Sequence, residues 1–361
     1  SMINISSLNK GLVAHFRLSS DLQKVGSNII TGDNSTFDAL ADWTPYNGGA
    51  LAIVGDWSGG AGTGIGKITL PAAAYGGIRM ISLTGLVVGE SYYASVKAKL
   101  LSGSSVTMYL GYVGVASAAL VFVPTATETV FTGAFVATST TMYLSANSGG
   151  ASQVILVDDV IVKPLLIADL TPYGNHPENF GVTFGADHKG VANGAGVFDG
   201  ALSALNIGTD KPNTLVGDIT MCAWIYLNSF GGGNGGRIFD NNTLYFLAQS
   251  GDSKLWFKSG AGTIVYTTSA SISTGVWIHV MATRTSVGIL NFYIDGLLNN
   301  TPDQDNGTPV AGTGDTYIGN NLSFNRGFDG KIEDPRIYNR VLSADEALEV
   351  YNSYKSNLVV S

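Results

Sequence analysis

Of 361 residues only one, Cys222, is a cysteine. An intrachain disulfide is excluded, and the alternating run "ITMCAWIYL" around it predicts a buried, inert thiol. Charge is scarce as well: Asp, Glu, Lys and Arg make up 13% of the chain, with a net charge of −8. That acidic balance argues against nucleic acid as a partner, because phosphate binding needs clustered Lys and Arg. Continuous apolar runs of about 18 residues or more are missing, so no segment is expected to span a membrane.

Catalytic signatures are missing too. The four histidines, His15, His176, His188 and His279, show no i, i+4 zinc spacing. His279, in "WIHVMATR", reads as a core histidine of a strand. No "GxSxG" elbow is present for a nucleophilic hydrolase. No strand carries alternating carboxylates in the paired arrangement that glycosidases use; the neighbouring acids of "KIEDPRIY" and "VDDV" are expected to point to opposite faces. The glycine runs "GGAGTGIGK" and "GGGNGGR" lack P-loop spacing and read as loops, as does "PDQDNG" at 302–307, which no bidentate Glu follows.

What is present is glycine, 47 residues, in a chain that is 45% hydrophobic. Glycine supplies the positive φ of hairpin turns, and period-two runs fill the intervals. Ser1-Met2 reads as a tag remnant, and no secretion signal precedes the first strand. The runs "GALAIVGDW", "GIGKITLP", "GIRMISLTGLVVGESYYASVKAKLL", "SSVTMYLGYVGV", "AALVFVP", "ETVFTGAFVATSTTMYLSAN" and "SQVILVDDVIVKP" predict short strands between turns and no helix. This is an all-β chain. Its one expected helix is C-terminal, where Ser343 and Glu346 form a capping box and Ala347, Val350, Tyr351 and Tyr354 recur on one face. The Asp-Gly of "FYIDGLL" marks a two-residue hairpin.

Two resemblances organise the chain. The segments "NIITGDNSTFDALADW", "LTGLVVGESYYASVKAKLLSGSSVTMYLG" and "VILVDDVIVKP" resemble, in order and separation, the galactose-binding-like jelly rolls of bacterial carbohydrate-binding modules, with Asn34 where that family usually carries Phe. The segments "GVWIHVMATR", "FYIDG" and "TYIGNN…FDGKIEDPRIYNRVLSADE" resemble LamG-like, concanavalin A-type jelly rolls of phage and bacterial surface proteins. The opening motif of the LamG-like family is split here between "GLVAHFRL" at 11–18 and "ADLTPYGNH" at 168–176. The split implies two β-sandwich jelly rolls, one inserted after strand one of the other. Residues 8–20 plus 166–361 would form the LamG-like sandwich, and 21–165 the carbohydrate-binding-module-like insert, whose ends must then lie close together.

The first resemblance implies a structural calcium ion beside Asp33, Asp38, Asp158 and Asp159, since first and last strands neighbour each other in that family. Hard cations take several oxygen ligands. In the second sandwich Asp169, Glu333 and Asp334 are expected near the reunited opening strand, as a further candidate metal set. Sugar recognition uses exposed aromatic faces with a few polar groups. The candidates are Tyr46, Trp57, Tyr75 and Tyr112 in the insert and Tyr245 and Trp256 in the second sandwich. Trp57, among polar and glycine neighbours, is expected at a loop tip, whereas Trp43 fits a core position and Trp224 and Trp277 alternate with core residues.

The expected role is non-catalytic binding of a polysaccharide or cell-surface glycan, on a phage or bacterial surface adhesin, extracellular or on a virion. The alternatives are a structural virion or tail component acting through a protein partner and, third, a glycosidase or lyase. The surface assignment rests on family analogy.

Overall fold

A computed structural model describes residues 8–18, 23–38, 42–72, 74–147, 153–209, 215–260, 264–299, 307–312 and 314–353. The fold is all-β and antiparallel, and the chain divides into two compact units: Ser1–Lys24 with Leu166–Ser361, and Val25–Leu165.

In the first unit one sheet runs Thr183–Gly185, Ala195–Asp199, Asp329–Tyr338, Ile219–Leu227, Trp277–Arg284, Leu290–Ile294, Leu297–Leu298. The opening strand Leu12–His15 pairs with Asp329–Tyr338, and Phe16 bridges Asp169, so the two halves of the split motif stand side by side. The facing strands run Glu178–Phe180, Ala204–Gly208, Thr316–Ile318, Arg237–Asp240, Leu244–Gln249, Lys254–Ser259, Val265–Tyr266. Between the sheets lies a core that includes Phe16, Phe239, Phe246, Phe257, Phe292 and Phe328, all fully buried. Each such side chain contributes roughly 1.5–3 kcal/mol of burial.

The Asp295-Gly296 hairpin forms with φ of 50° and 79°, the doubly positive pair of a type I′ turn. The C-terminal helix, Ala344–Ser353, opens with the expected box: the Glu346 amide donates to Ser343 Oγ at 3.2 Å, and the Ser343 amide donates to Glu346 Oε2 at 2.9 Å. Ala347 and Val350 are its buried residues; Tyr354 lies outside the described residues.

In the second unit one sheet runs Thr129–Val136, Ser91–Ser102, Val154–Ile167 (up to Leu165), Ile65–Thr69, Ala50–Val54. The other is five-stranded: Thr44–Tyr46, Gly77–Met80, Met142–Ala146, Met108–Gly111, Ala119–Phe122. Ile78, Met80, Leu110, Leu120, Met142 and Leu144 of this sheet meet Ile68, Tyr92, Val96, Ile155 and Val157 of the first in one core. Trp43 is core as expected, 3% exposed and stacked on Phe37. One helical turn, Asp33–Thr36, was not expected from an all-strand pattern; the Ser35 amide closes it onto the Gly32 carbonyl at 2.9 Å. Short Asp, Asn and Ser side chains favour such local turns over sheet.

Candidate functional site

Period two fixes which residues of the five-stranded sheet face outward. Ile78, Leu110 and Leu144 are directly opposed and belong to the core. Their neighbours therefore share the other face. Tyr143 lies opposite Arg79 and Gly111, Ser145 opposite Gly77 and Tyr109, and Tyr46 opposite Gly77. The outward face is thus a row of tyrosines around two glycines.

The glycines are required by close backbone approach. A Cβ on Gly77 would come within 2.3 Å of the Leu144 carbonyl oxygen, and one on Gly111 within 2.5 Å of the Ala118 carbonyl oxygen. Lacking side chains, they leave bare backbone between the rings. Tyr46 stands edge-on to Tyr143 at a centroid distance of 4.9 Å, and Tyr112 stands at 90° to Tyr143 at 5.7 Å. All three are half-buried. Tyr46 is placed by the Asn47-Gly48 turn, with φ of 46° and 81°, closed by the Gly49 amide on the Tyr46 carbonyl at 3.0 Å. The Asn47 side-chain amide donates to the Ala74 carbonyl at 2.7 Å and ties in the neighbouring loop. From that loop Tyr75, 38% exposed, lays its ring against Gly114 of the loop that carries Tyr112.

Two polar groups face the same way. The Arg79 guanidinium carbon lies 4.9 Å from the Tyr46 ring centroid, a cation–π contact. Its Nε is buried without a hydrogen-bond acceptor, and Ser145 Oγ, on a fully buried residue, has no partner either. Buried polar atoms are normally paired, so both are groups a ligand or water would satisfy.

The structure thus brings Tyr46, Tyr75 and Tyr112 together and adds Tyr143, Arg79 and Ser145, which sequence reasoning missed. The signal was there: in "MYLSA" Tyr143 sits between two core residues, which forces it outward, and Arg79 sits between Ile78 and Met80 in the same way.

The remaining candidates lie elsewhere. Trp57 occupies a turn, but its ring packs on the cluster of Val54, Ile65 and Leu156, with the Lys97 ammonium 4.7 Å from its centroid. The Lys99 ammonium donates to its carbonyl at 2.8 Å. In the first unit Tyr245 lies under the Arg237 guanidinium at 4.2 Å, and Trp256 donates through Nε1 to Asp252 at 3.0 Å and leans on Tyr266.

The acids divide similarly. Asp169 accepts from the His15, Thr171 and Asn175 amides at 3.1, 3.0 and 2.8 Å. Glu333 accepts from the His188 amide at 3.0 Å and contacts its ring at 2.9 Å; that ring stacks on Trp224 at 4.2 Å. Asp334 contacts the His15 ring and accepts from Arg336 Nε at 2.9 Å. Glu333 and Asp334 do not face opposite ways, as alternation would have them. Asp334 adopts φ of 52° at a bulge opposite Ala223, so both carboxylates reach the layer outside the sheet. Each of these acids already accepts hydrogen bonds from protein donors.

Around the second unit's acids, burial pushes Asp158 up to about 6, with the charges of Asp159 and Asp38 adding to the effect and Lys97 opposing it. The side chain of Asp33 lies outside the described residues. Among the described residues no three of His, Cys, Asp and Glu gather as a metal site. Cys222 is fully buried, its thiol pushed up to about 12. His279 is a core residue whose imidazole burial pushes down to about 3.

The architecture defines a class first: antiparallel β-sandwich units without a membrane-spanning helix among the described residues. A family model matches part of it. Residues 199–347 match the Laminin_G_3 family model, described as the Concanavalin A-like lectin/glucanases superfamily. The LamG-like resemblance of that segment is therefore shown. No curated protein matches the chain.

Similar solved structures include the binding domain of botulinum neurotoxin DC in complex with rat synaptotagmin II, at 16% identity and TM-score 0.38, covering 52% of this chain and 48% of that one. The binding domain of Paraclostridial Mosquitocidal Protein 1 matches at 18% identity and TM-score 0.40, covering 52% and 49%. The botulinum neurotoxin DC binding domain in complex with SialylT matches at 16% and 0.38, covering 52% and 48%. The chain spans about half the length of each of these proteins.

Proposed function

We propose that this chain is a non-catalytic carbohydrate-binding protein whose ligand lies on the tyrosine face of the five-stranded sheet. The observation that carries this is the grouping of half-exposed Tyr46, Tyr112 and Tyr143 around the bare backbone of Gly77 and Gly111. Sugar rings present C–H faces that pack on aromatic rings, while their hydroxyls need a few fixed polar partners; the partly exposed Arg79 supplies one. The superfamily matched by residues 199–347 contains lectins and glucanases, which supports the coarse reading. Against hydrolysis, the five strands of this sheet contain no Asp or Glu, and glycoside cleavage ordinarily uses two carboxylates. Display on a bacterial or phage surface as an adhesin, extracellular or on a virion, completes the proposal, since weak sites gain avidity when presented in many copies.

Affinity electrophoresis of the full chain against a panel of soluble polysaccharides tests it. Retardation by at least one polymer, lost in Tyr143→Ala, supports the reading. A panel that retards neither protein sinks it and leaves a structural role through protein contacts. Repeating the panel with a calcium chelator tests the calcium ion expected beside Asp33, Asp38, Asp158 and Asp159.

A further inference from the structure

Arg79 is the only charged residue in the five strands of the tyrosine-faced sheet. The other cations of this unit, Lys67, Lys97, Lys99 and Lys163, belong to strands of the opposite sheet. Lys97 is paired there with Glu128 at 3.0 Å, and Lys99 caps the Trp57 carbonyl. Arg79 makes no ion pair among the described residues; its side chain contacts the Tyr46 ring, and its Nε is buried without an acceptor. A guanidinium is always charged and presents its N–H groups as a planar fork matched to carboxylate and sulfate oxygens. Withdrawing it partly from water among tyrosines, with no counter-charge, is unfavourable unless an anion arrives.

Ser145 provides the second observation. It is fully buried on the same face, and its Oγ is unpaired. A hydroxyl donor and a guanidinium donor thus flank Tyr143 from the two directions of its strand neighbourhood, Ser145 along the chain and Arg79 across it. Of the two, Arg79 is the partly exposed one and can serve an acidic sugar stacked on the ring.

We infer that the ligand of this face is an anionic glycan, a polysaccharide bearing carboxylate or sulfate groups, with Arg79 as its anion-binding residue; this rests on the carbohydrate-binding reading above. The chain as a whole carries a net charge of −8, so bulk electrostatics repel a polyanion. Any preference for one must come from a local site.

The test uses the full chain and matched polymer pairs in affinity electrophoresis: polygalacturonate against its carboxyl-reduced form, and dextran sulfate against dextran. One anionic member is expected to bind about tenfold or more tightly than its neutral partner, the scale of a single charge-assisted hydrogen bond. Which pair shows the effect tells carboxylate from sulfate. Arg79→Gln should abolish the preference, Arg79→Lys should keep a part of it that fades with salt, and Tyr143→Ala should weaken both members of the pair equally. Near-ultraviolet circular dichroism confirms that each variant is folded, and Arg79→Lys keeps the test decisive if Arg79→Gln is not. Neutral polymers bound as tightly as anionic ones, or a preference that survives in Arg79→Gln, would overturn the inference while leaving carbohydrate binding intact. Absence of binding to every polymer removes both.

Discussion

Arg79 and Tyr143 are directly opposed across adjacent strands, on the outward face of a sheet whose inward face is wholly apolar. The pairing sets one cation beside one ring, with Tyr46 and Tyr112 meeting that ring at 4.9 and 5.7 Å. Because Met142 and Leu144 are fixed in the core, Tyr143 cannot turn inward. Its exposure is built into the strand.

Tyr143→Ala should therefore leave the fold intact and weaken polysaccharide binding by about tenfold or more, ~1.4 kcal/mol. Trp57→Ala should do the reverse. Its ring packs on the cluster of Val54, Ile65 and Leu156 in the other sheet's layer, so truncation costs about half of the ~3–5 kcal/mol typical of a fully buried aromatic and spares binding. Affinity electrophoresis and denaturant titration run side by side separate the two. Loss of binding in Trp57→Ala with Tyr143→Ala unaffected would move the site to the other sheet.

Gly111→Ala tests the bare backbone between the rings. The added Cβ would meet the Ala118 carbonyl oxygen at 2.5 Å and Ala119 Cα at 2.7 Å, neither of which can yield without opening the hairpin. The substitution should destabilise by about 1–3 kcal/mol and lower affinity with it. Gly181→Ala is the control. Its φ is 68° but nothing lies within 4 Å, so only the left-handed backbone cost of ~1–2 kcal/mol applies and binding is unchanged. Urea midpoints of the two variants give the comparison.

Asp158 tests the acid cluster. Burial and the nearby charges of Asp159 and Asp38 raise its carboxyl to about 6. A carboxyl raised above its unfolded value is protonated in the native state at lower pH than about 6 and is forced to ionise above it. Native stability is therefore unaffected below about pH 4, where both states are protonated, and falls as pH rises from there through about 6. Asp158→Asn should raise the melting temperature at pH 7.5 and change little at pH 4. If calcium sits among these acids, the ion removes the repulsion, and the same substitution lowers the melting temperature in calcium while raising it in chelator. A scan of both proteins at two pH values, with and without calcium, reads all four cases.

The two sandwiches were legible because period two and turn chemistry are local. The Asp295-Gly296 hairpin, the Ser343/Glu346 box and the buried Cys222 each follow from a few adjacent residues. The site was only half legible. Tyr46, Tyr75 and Tyr112 were visible as aromatics beside turns, yet their convergence depends on strand order, which places Gly77–Met80 between Thr44–Tyr46 and Met142–Ala146. Arg79 and Tyr143 become neighbours only in that register. Trp57 was legible in part for a related reason: polar and glycine neighbours did mark a turn, but the ring's partners come from distant strands. Glu333 and Asp334 were misread because alternation assumes a regular strand, and the bulge at Asp334 breaks it.

His279 gives a last and separate check on the first unit. Its side chain is fully buried against Trp224 and Tyr351, and burial, reinforced by the Arg336 and His188 charges and opposed by Asp334, pushes its imidazole down to about 3. The native state keeps it neutral, while the unfolded chain takes up a proton below about 6.5. Stability is thus fully present above that value and falls as pH drops toward 3, by up to about 1.4 kcal/mol per pH unit from this residue alone. Carboxylates that lose their partners in acid add to the slope, so the informative quantity is a difference between proteins. His279→Phe, which keeps the ring and cannot titrate, should flatten the decline of urea-unfolding stability between pH 6.5 and 4 relative to wild type. Parallel declines in the two proteins would mean that the imidazole is protonated in the folded state and that the layer around Trp224 admits water.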